Sequence, residues 1–350
     1  MIVEEQIRGL LASWYSIHQR VLPWRGIKDP YRIWLSEVIL QQTRVIQGYD
    51  YYLHFVEHFP TIKDLALSTE EEVLHLWKGL GYYTRARNLH KAARRILDLY
   101  GGVFPHQYEE ILSLEGVGKY TAVAIASFAF NLPYATIDGN VQRVLSRLYC
   151  IMEPVNTPSG EEILQTQAEL LLDRKHPAIH NQAVMELGAL VCTPKTPHCT
   201  ECPLKEHCLS YANGNVELLP IKQKKIVMKE RFFSYLRIVC KGETLLLQRT
   251  KRDIWKNLYE YPMVETSQPV PIDTLMKNEL LQEFLPFKHS PLKEITKDFI
   301  HQLTHQKLHI SLFELSVKEF PPLSTIYKVV ERGEESSFPI SRLMEILMGK

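Results

Sequence analysis

Two groups of residues in this chain have types and spacings that could do chemistry. The first is Leu114-Glu115-Gly116-Val117-Gly118-Lys119-Tyr120-Thr121, followed a short helix later by Asp138. An apolar residue, then Gly-Val-Gly, then a small and aliphatic run is what two helices joined by a tight hairpin require. Glycine reaches positive φ and lets another molecule's backbone come close. The run Thr121 to Phe130 reads as a buried helix whose first turn offers free N–H groups, a natural seat for phosphate. Gly116, Gly118 and Thr121 are thus candidate contacts to a phosphate backbone. A carboxylate in Ile137-Asp138-Gly139-Asn140 beside such a hairpin suggests chemistry on nucleic acid.

The second group is Cys192, Cys199, Cys202 and Cys208, four of six cysteines, separated by six, two and five residues. Packed this way in a chain with no secretory signature, they point to metal rather than to disulfides. Four thiolates suit zinc, which is usually held by two close pairs. Only one close pair exists here, and the wide flanking loops also suit an iron–sulfur cluster, whose ligated corners lie further apart. Spacing alone leaves both open. Cys150 and Cys240 stand alone and read as small apolar residues.

At 350 residues the chain is long enough for two domains. It has no leading signal segment and no apolar run of bilayer length, so a soluble intracellular protein (cytoplasm or nucleoid), a monomer away from membranes, is the expectation. Residues 1–218 hold 20 Lys+Arg against 24 Asp+Glu, and residues 219–350 hold 21 against 16. Any contact to DNA in the first part must therefore come from local patches and main-chain amides.

Helical spacing runs through residues 3–19, and Asp29-Pro30 opens a helix reaching Gln41-Gln42 by supplying a cap and a first-turn proline. Further helices are predicted at 45–58, 70–77, 85–100, 107–112, 141–149, 160–173 and 176–191. After a linker at 219–227, which carries the basic stretch 222–225, the texture becomes β-branched and aromatic over 231–240, 244–249 and 295–317, with a closing helix at 341–348. The fold class is an all-α helix-hairpin-helix domain, 1–218, ending in a metal loop at 192–208. A smaller α+β domain follows, 228–350.

The cysteine spacing directly after the glycine hairpin resembles the [4Fe–4S] members of the helix-hairpin-helix DNA glycosylase superfamily. Within it the chain is similar to the adenine DNA glycosylases of the MutY family. The resemblance extends through Leu22-Pro23-Trp24-Arg25, Glu37-Val38-Ile39-Leu40-Gln41-Gln42, Gly79-Leu80-Gly81-Tyr82-Tyr83, Asp138-Gly139-Asn140-Val141 and Met185-Glu186-Leu187-Gly188. It implies hydrolytic removal of adenine paired with 8-oxoguanine or guanine in double-stranded DNA, and a [4Fe–4S] cluster on the four cysteines.

Such a reaction needs a protonated acid facing the base and an ionised carboxylate facing the sugar cation, as in glycoside hydrolysis. The resemblance assigns the proton to Glu37, whose apolar neighbours would raise its pKa. Asp138 takes the anionic role and Asn140 orients the site. Relatives that cut the strand carry a lysine two residues after the second glycine. Tyr120 stands there, which implies base removal without strand cleavage, and Lys119, one place early, is expected to meet phosphate or solvent. By the same match Trp24, Arg25, Leu40 and Val45 line the adenine pocket, and Gln42 and Tyr82 wedge into the duplex to help extrude the base. Arg85, Arg87, Lys91, Arg94 and Arg95 form a basic stripe expected to contact phosphate. Glu115 replaces the family's proline and is expected to turn to solvent.

Residues 244–264 resemble the Nudix-type fold, but 273–284 lacks the acidic pattern of its magnesium-binding helix, so a recognition module is expected. The family's Phe-Ser-His loop corresponds to Leu303-Thr304-His305. Thr304 and His305 keep the hydrogen-bonding groups for reading the lesion, and Leu303 loses the aromatic. The rival readings are a bifunctional, endonuclease III-like glycosylase/lyase and a non-catalytic iron–sulfur DNA-binding protein.

Overall fold

A computed structural model describes residues 2–223, 228–288 and 290–349. The helices in chain order are α1 (Ile2–His18), α2 (Pro30–Ile39), α3 (Val45–His58), α4 (Ile62–Leu67), α5 (Glu70–Leu76), α6 (Thr84–Tyr100), α7 (Tyr108–Leu112), α8 (Lys119–Phe130), α9 (Gly139–Leu148), α10 (Pro158–Leu171), α11 (Pro177–Leu190) and α12 (Leu209–Ala212). Contacts divide the chain into two compact units, residues 1–68 with 88–224, and residues 69–87 with 225–350. The expected first domain was continuous to residue 218; instead, 69–87 packs with the later residues. Among the described residues no helix is long and apolar enough to cross a membrane.

In the first unit, Ile7, Leu11 and Trp14 of α1 recur at helical spacing and are buried against Val144, Leu145 and Leu148 of α9 and Val184 and Leu187 of α11. Cys192, Cys202 and Cys208 pack on the edge of the same core. The Asp29 carboxylate caps α2, accepting from the Tyr31 and Arg32 amides at 3.0 and 3.4 Å. That helix stops at Ile39, short of the expected Gln42, because Gln42 takes a left-handed φ of 55°. Helix α4 was not anticipated, although its Thr61–Asp64 capping box is a readable signal. The beginning of the expected linker folds back on this unit, with Val155 N donating to Ile221 O and Gln223 N to Asn156 Oδ1. Residues 224–227 of it lie outside the described residues.

The second unit is built on a seven-stranded mixed sheet. Its strands are β1 (Lys229–Cys240), β2 (Glu243–Gln248), β3 (Tyr259–Glu260), β4 (Met263–Thr266), β5 (Lys293–Gln302), β6 (Gln306–Ser316) and β7 (Tyr327–Glu331). The path runs β3-β2-β1-β6-β5, with β4 added on β1 and β7 on β2. Strand β1 runs parallel to β6, and β5 and β6 form a hairpin, whose turn is Leu303-Thr304-His305. Alternation along β6 buries Leu308, Ile310 and Leu312 under Leu343, Met344 and Leu347, and sends Phe313 and Leu315 to the other face. The stretch 273–284 folds as two four-residue helices, α13 (Ile272–Leu275) and α14 (Glu279–Gln282), and α15 (Arg342–Met348) closes the chain.

Candidate active site

A cavity of about 510 Å³ opens between α2, α8, α9 and α11, and it gathers residues that lie up to 169 positions apart, from Arg20 to Ala189. Trp24, Arg25, Glu37, Leu40, Gln42, Val45, Tyr120, Asp138 and Asn140 all line it. Every expected catalytic residue and all four expected adenine-pocket residues therefore meet in one place.

Glu37 projects from the inner side of α2, among the buried Ile33, Trp34, Ser36 and Val38. Burial raises its pKa to about 7, and the Asp138 charge pushes the same way, against a hydrogen bond from Tyr120 and the Arg25 charge. The Tyr120 hydroxyl is driven well above its usual range by the same burial and by Glu37, so it stays a donor. Asp138 caps α9. Its Oδ1 accepts from the Asn140 and Val141 amides at 2.9 and 2.8 Å, and its Oδ2 from Asn140 Nδ2 at 2.7 Å. Burial raises its pKa too, but these bonds and the Arg143 charge favour the ion.

Several bracing groups were given no role from the sequence, although Glu186 and Gly188 lie in the Met185–Gly188 motif. Glu186, fully buried on α11, lines the cavity and grips Arg20 through Oε1 and Oε2 at 2.8 and 2.7 Å and Arg25 at 2.6 Å. The two arginines hold its carboxyl down at about 2. Arg25 Nη1 is buried without a partner among the described residues. Arg143 donates to Asn140 Oδ1 at 2.9 Å and to the carbonyls of Gly188 and Cys192 at 2.6 Å each. Asn181 pins the chain leading to Asp138, accepting from Thr136 N and donating to Tyr134 O and Ser127 Oγ. A Cβ at Gly188 would lie 2.7 Å from Asn140 Cβ, so glycine there lets α11 approach α9. Arg143 and Asn181 carry no local signal, and the partners of all three polar residues are set only by the tertiary fold.

The hairpin joins α7 to α8. Gly116 is exposed at φ 75°, and a side chain there would strike Asn88 at 2.6 Å. Gly118 is exposed but not left-handed; it caps α8 with φ −86°. Two expectations need correction, and a third holds only in part. Thr121 is buried and accepts from Gln41 Nε2 at 3.1 Å, so it supports a cavity residue instead of offering its side chain to DNA. Glu115 turns to solvent only in part: its side chain is 38% exposed, Arg95 Nη1 lies 3.5 Å from its Oε1, and its Oε2 is buried. The stripe on α6 is mostly committed to internal carbonyls: Arg85 to Leu80 and Gly81, Arg87 to Lys256, Arg94 to Ala66 and Ser68, and Arg95 to Ser113. Lys91 and Lys119 are exposed.

In the second unit a cavity of about 440 Å³ brings Gly81, Tyr82, Trp255 and His301 together with Thr304 and His305. The hydroxyls of Tyr82 and Thr304 are in hydrogen-bond contact. Tyr82 is 48% exposed and left-handed at φ 49°, as Gln42 is at 55°. Such conformations are costly for non-glycine residues and concentrate at functional sites. Thr304 and His305 are exposed, and Leu303 packs against the sheet core.

Cys192, Cys199, Cys202 and Cys208 line one pocket with Val191, Pro197, Tyr211 and Val216. Burial raises the Cys202 thiol to about 11, with further raising from the other three cysteines. Among the described residues no group of three or more His, Cys, Asp or Glu is placed to hold a single ion. Four sulfurs lining one apolar pocket are nonetheless the donor chemistry of a metal or iron–sulfur site.

A helical domain with a glycine hairpin and buried carboxylates, followed by a mixed sheet, defines the class of a helix-hairpin-helix glycosylase joined to a Nudix-like domain. Residues 35–170 match the HhH-GPD superfamily of base excision DNA repair proteins, and 234–350 match the NUDIX domain. The adenine DNA glycosylase of Buchnera aphidicola subsp. Baizongia pistaciae is 35% identical over 91% of this chain and 89% of its own length. The Homo sapiens adenine DNA glycosylase is 32% identical over 91% of this chain and 68% of its own. A thermostable thymine-DNA glycosylase superposes with a TM-score of 0.55 at 28% identity, covering 60% of this chain and 97% of that one. The chain belongs to the adenine DNA glycosylase family.

Proposed function

We propose that the protein hydrolyses the N-glycosidic bond of adenine paired with 8-oxoguanine, or with guanine, in double-stranded DNA, and leaves an abasic site. The observation that carries this reading is the single cavity holding Glu37, Tyr120 and Asp138. Glu37, at about 7, holds a proton near neutrality and gives it to the base, after which its carboxylate draws a proton from the attacking water. The Asp138 carboxylate, oriented by Asn140, faces the developing sugar cation. Trp24, Leu40 and Val45 wall the base, and the unpartnered nitrogen of Arg25 is a donor for it. Among the described residues lining the cavity there is no lysine, and position 120 supplies a hydroxyl. Strand cleavage through a Schiff base thus has no amine in place, which favours a monofunctional enzyme.

Gln42 and Tyr82, both held left-handed, are the wedges, and Thr304 with His305 reads the partner base. The exposed glycines of the hairpin and the first amides of α8 seat phosphate. Residues 1–218 form the catalytic part and 228–350 the recognition part, joined by the linker at 219–227. Cys192, Cys199, Cys202 and Cys208 hold a [4Fe–4S] cluster, which would tie the loop at 192–208 to the core and supply a one-electron redox couple. The test is adenine release from an 8-oxoguanine·adenine duplex by wild type, Glu37→Gln and Asp138→Asn. Both variants should lose release by at least about 100-fold, and release at the wild-type rate by either would remove that residue from the mechanism. Thr304→Val with His305→Ala should slow release opposite 8-oxoguanine more than opposite guanine.

A further inference from the structure

Arg147 is a buried cation that the reaction scheme does not use. Its side chain leaves α9 toward the cysteine segment and is 1% exposed. Nε donates to the carbonyls of Val216 and Leu219, each at 3.0 Å. Nη1 donates to Thr193 O at 2.8 Å and to Cys192 Sγ at 3.3 Å, and Nη2 reaches Pro194 O at 3.3 Å. One guanidinium thus ties the entry of the cysteine segment, 192–194, to its exit, 216–219. It also donates directly to one of the four sulfurs. The other cations near this pocket are differently placed: Lys205 lines it but is only half-buried, and Arg143 reaches the Cys192 carbonyl, not its sulfur.

We propose that Arg147 is the positioning residue that sets the reduction potential and the oxidative durability of the cluster. The inference rests on the reading of the four cysteines as cluster ligands. An N–H donated to a thiolate sulfur, together with a buried positive charge, stabilises the more reduced and more negative state of the cluster. Loss of one electron to an external oxidant is therefore made harder. The clamp at both ends of the segment opposes the opening through which an oxidised cluster would be lost.

The test uses the purified, iron-loaded enzyme. Iron and acid-labile sulfide are counted, the midpoint is measured by voltammetry, and bleaching by ferricyanide is followed at the visible absorption band. Arg147→Gln, which removes the charge, should shift the midpoint to lower potential and bleach several-fold faster. Arg147→Lys, which keeps the charge but not the planar fork, should keep a midpoint nearer wild type while still bleaching faster. Loaded variants with the wild-type midpoint and bleaching rate would overturn the proposal. Resonance Raman spectra of the wild type in H2O and D2O avoid any folding defect of the variants. A deuterium shift of an iron–thiolate stretch is expected, and its absence would also overturn the proposal. A wild type without iron and sulfide would instead sink the cluster reading itself.

Discussion

The environment of Glu37 makes a signed prediction about pH. The acid must carry its proton to release adenine, and its pKa stands at about 7. From that value roughly nine molecules in ten are protonated at pH 6 and about one in a hundred at pH 9. The single-turnover rate of adenine release on pre-bound duplex should therefore fall about 90-fold between those limits, along one limb with its midpoint near 7. Tyr120 and Asp138 pull that midpoint in opposite directions. The Tyr120 hydrogen bond lowers the pKa of Glu37, so Tyr120→Phe should move the limb to higher pH. The Asp138 charge raises it, so in Asp138→Asn the Glu37 carboxyl, followed by infrared difference spectroscopy because turnover is lost, should titrate at lower pH. A rate flat from pH 6 to 9, or variants that shift in the same direction, would refute Glu37 as the proton donor.

Glu37 also costs stability. Its folded-state pKa is raised, so the penalty appears as pH climbs from the unfolded value of 4.5 to about 7, and Glu37→Gln should gain up to about 3 kcal/mol in denaturant unfolding at pH 8 and almost nothing at pH 4. Glu186 has the opposite sign, because its pKa falls to about 2; it stabilises above the unfolded value of 4.5 and loses that contribution on acidification. Glu186→Ala, which leaves Arg20 and Arg25 unpaired, should cost about 3–5 kcal/mol in unfolding at pH 7. Gly188→Ala forces a Cβ to 2.7 Å from Asn140, so release should slow at least about tenfold while duplex binding holds. Trp255→Ala, which strips an aromatic wall from the cavity at Tyr82 and Thr304, should weaken binding to an 8-oxoguanine duplex by about 1–3 kcal/mol if a base stacks there, and unchanged affinity would exclude that contact.

Much of the first unit was legible because its elements signal locally. Ile7, Leu11 and Trp14 repeat at helical spacing, and Asp29-Pro30 announces α2. The cysteines and the glycine hairpin are recognisable from spacing alone. What stayed hidden was the destination of long polar side chains. The arginines of α6 have the spacing of a phosphate-binding face, yet their guanidiniums end on carbonyls of Ala66, Ser68, Leu80, Gly81 and Ser113. Glu186, Arg143, Asn181 and Arg147 look like ordinary helix residues in one dimension. They are buried because each has a partner at least 45 positions away. A buried charge is tolerated only when such a partner exists, and that pairing is a property of the fold.

The same logic decides which of the two acids keeps the proton. Burial raises both Glu37 and Asp138. Asp138 sits at a helix N-terminus, accepts three hydrogen bonds from 2.7 to 2.9 Å, and feels the Arg143 charge. Glu37 has the Tyr120 hydroxyl and the more distant attraction of Arg25. The first proton of the pair therefore leaves Asp138, where the charge is best solvated by fixed dipoles. Once Asp138 is negative, its field disfavours a second charge in the same cavity, and Glu37 holds its proton to near neutral pH. The cap that begins α9 thus has two consequences, since it supplies the anion that faces the sugar and keeps the opposing acid protonated and neutral. Lengthening either Asp138 cap bond, as Gly188→Ala should through Asn140, is expected to raise the Asp138 pKa in a carboxyl titration followed by infrared difference spectroscopy.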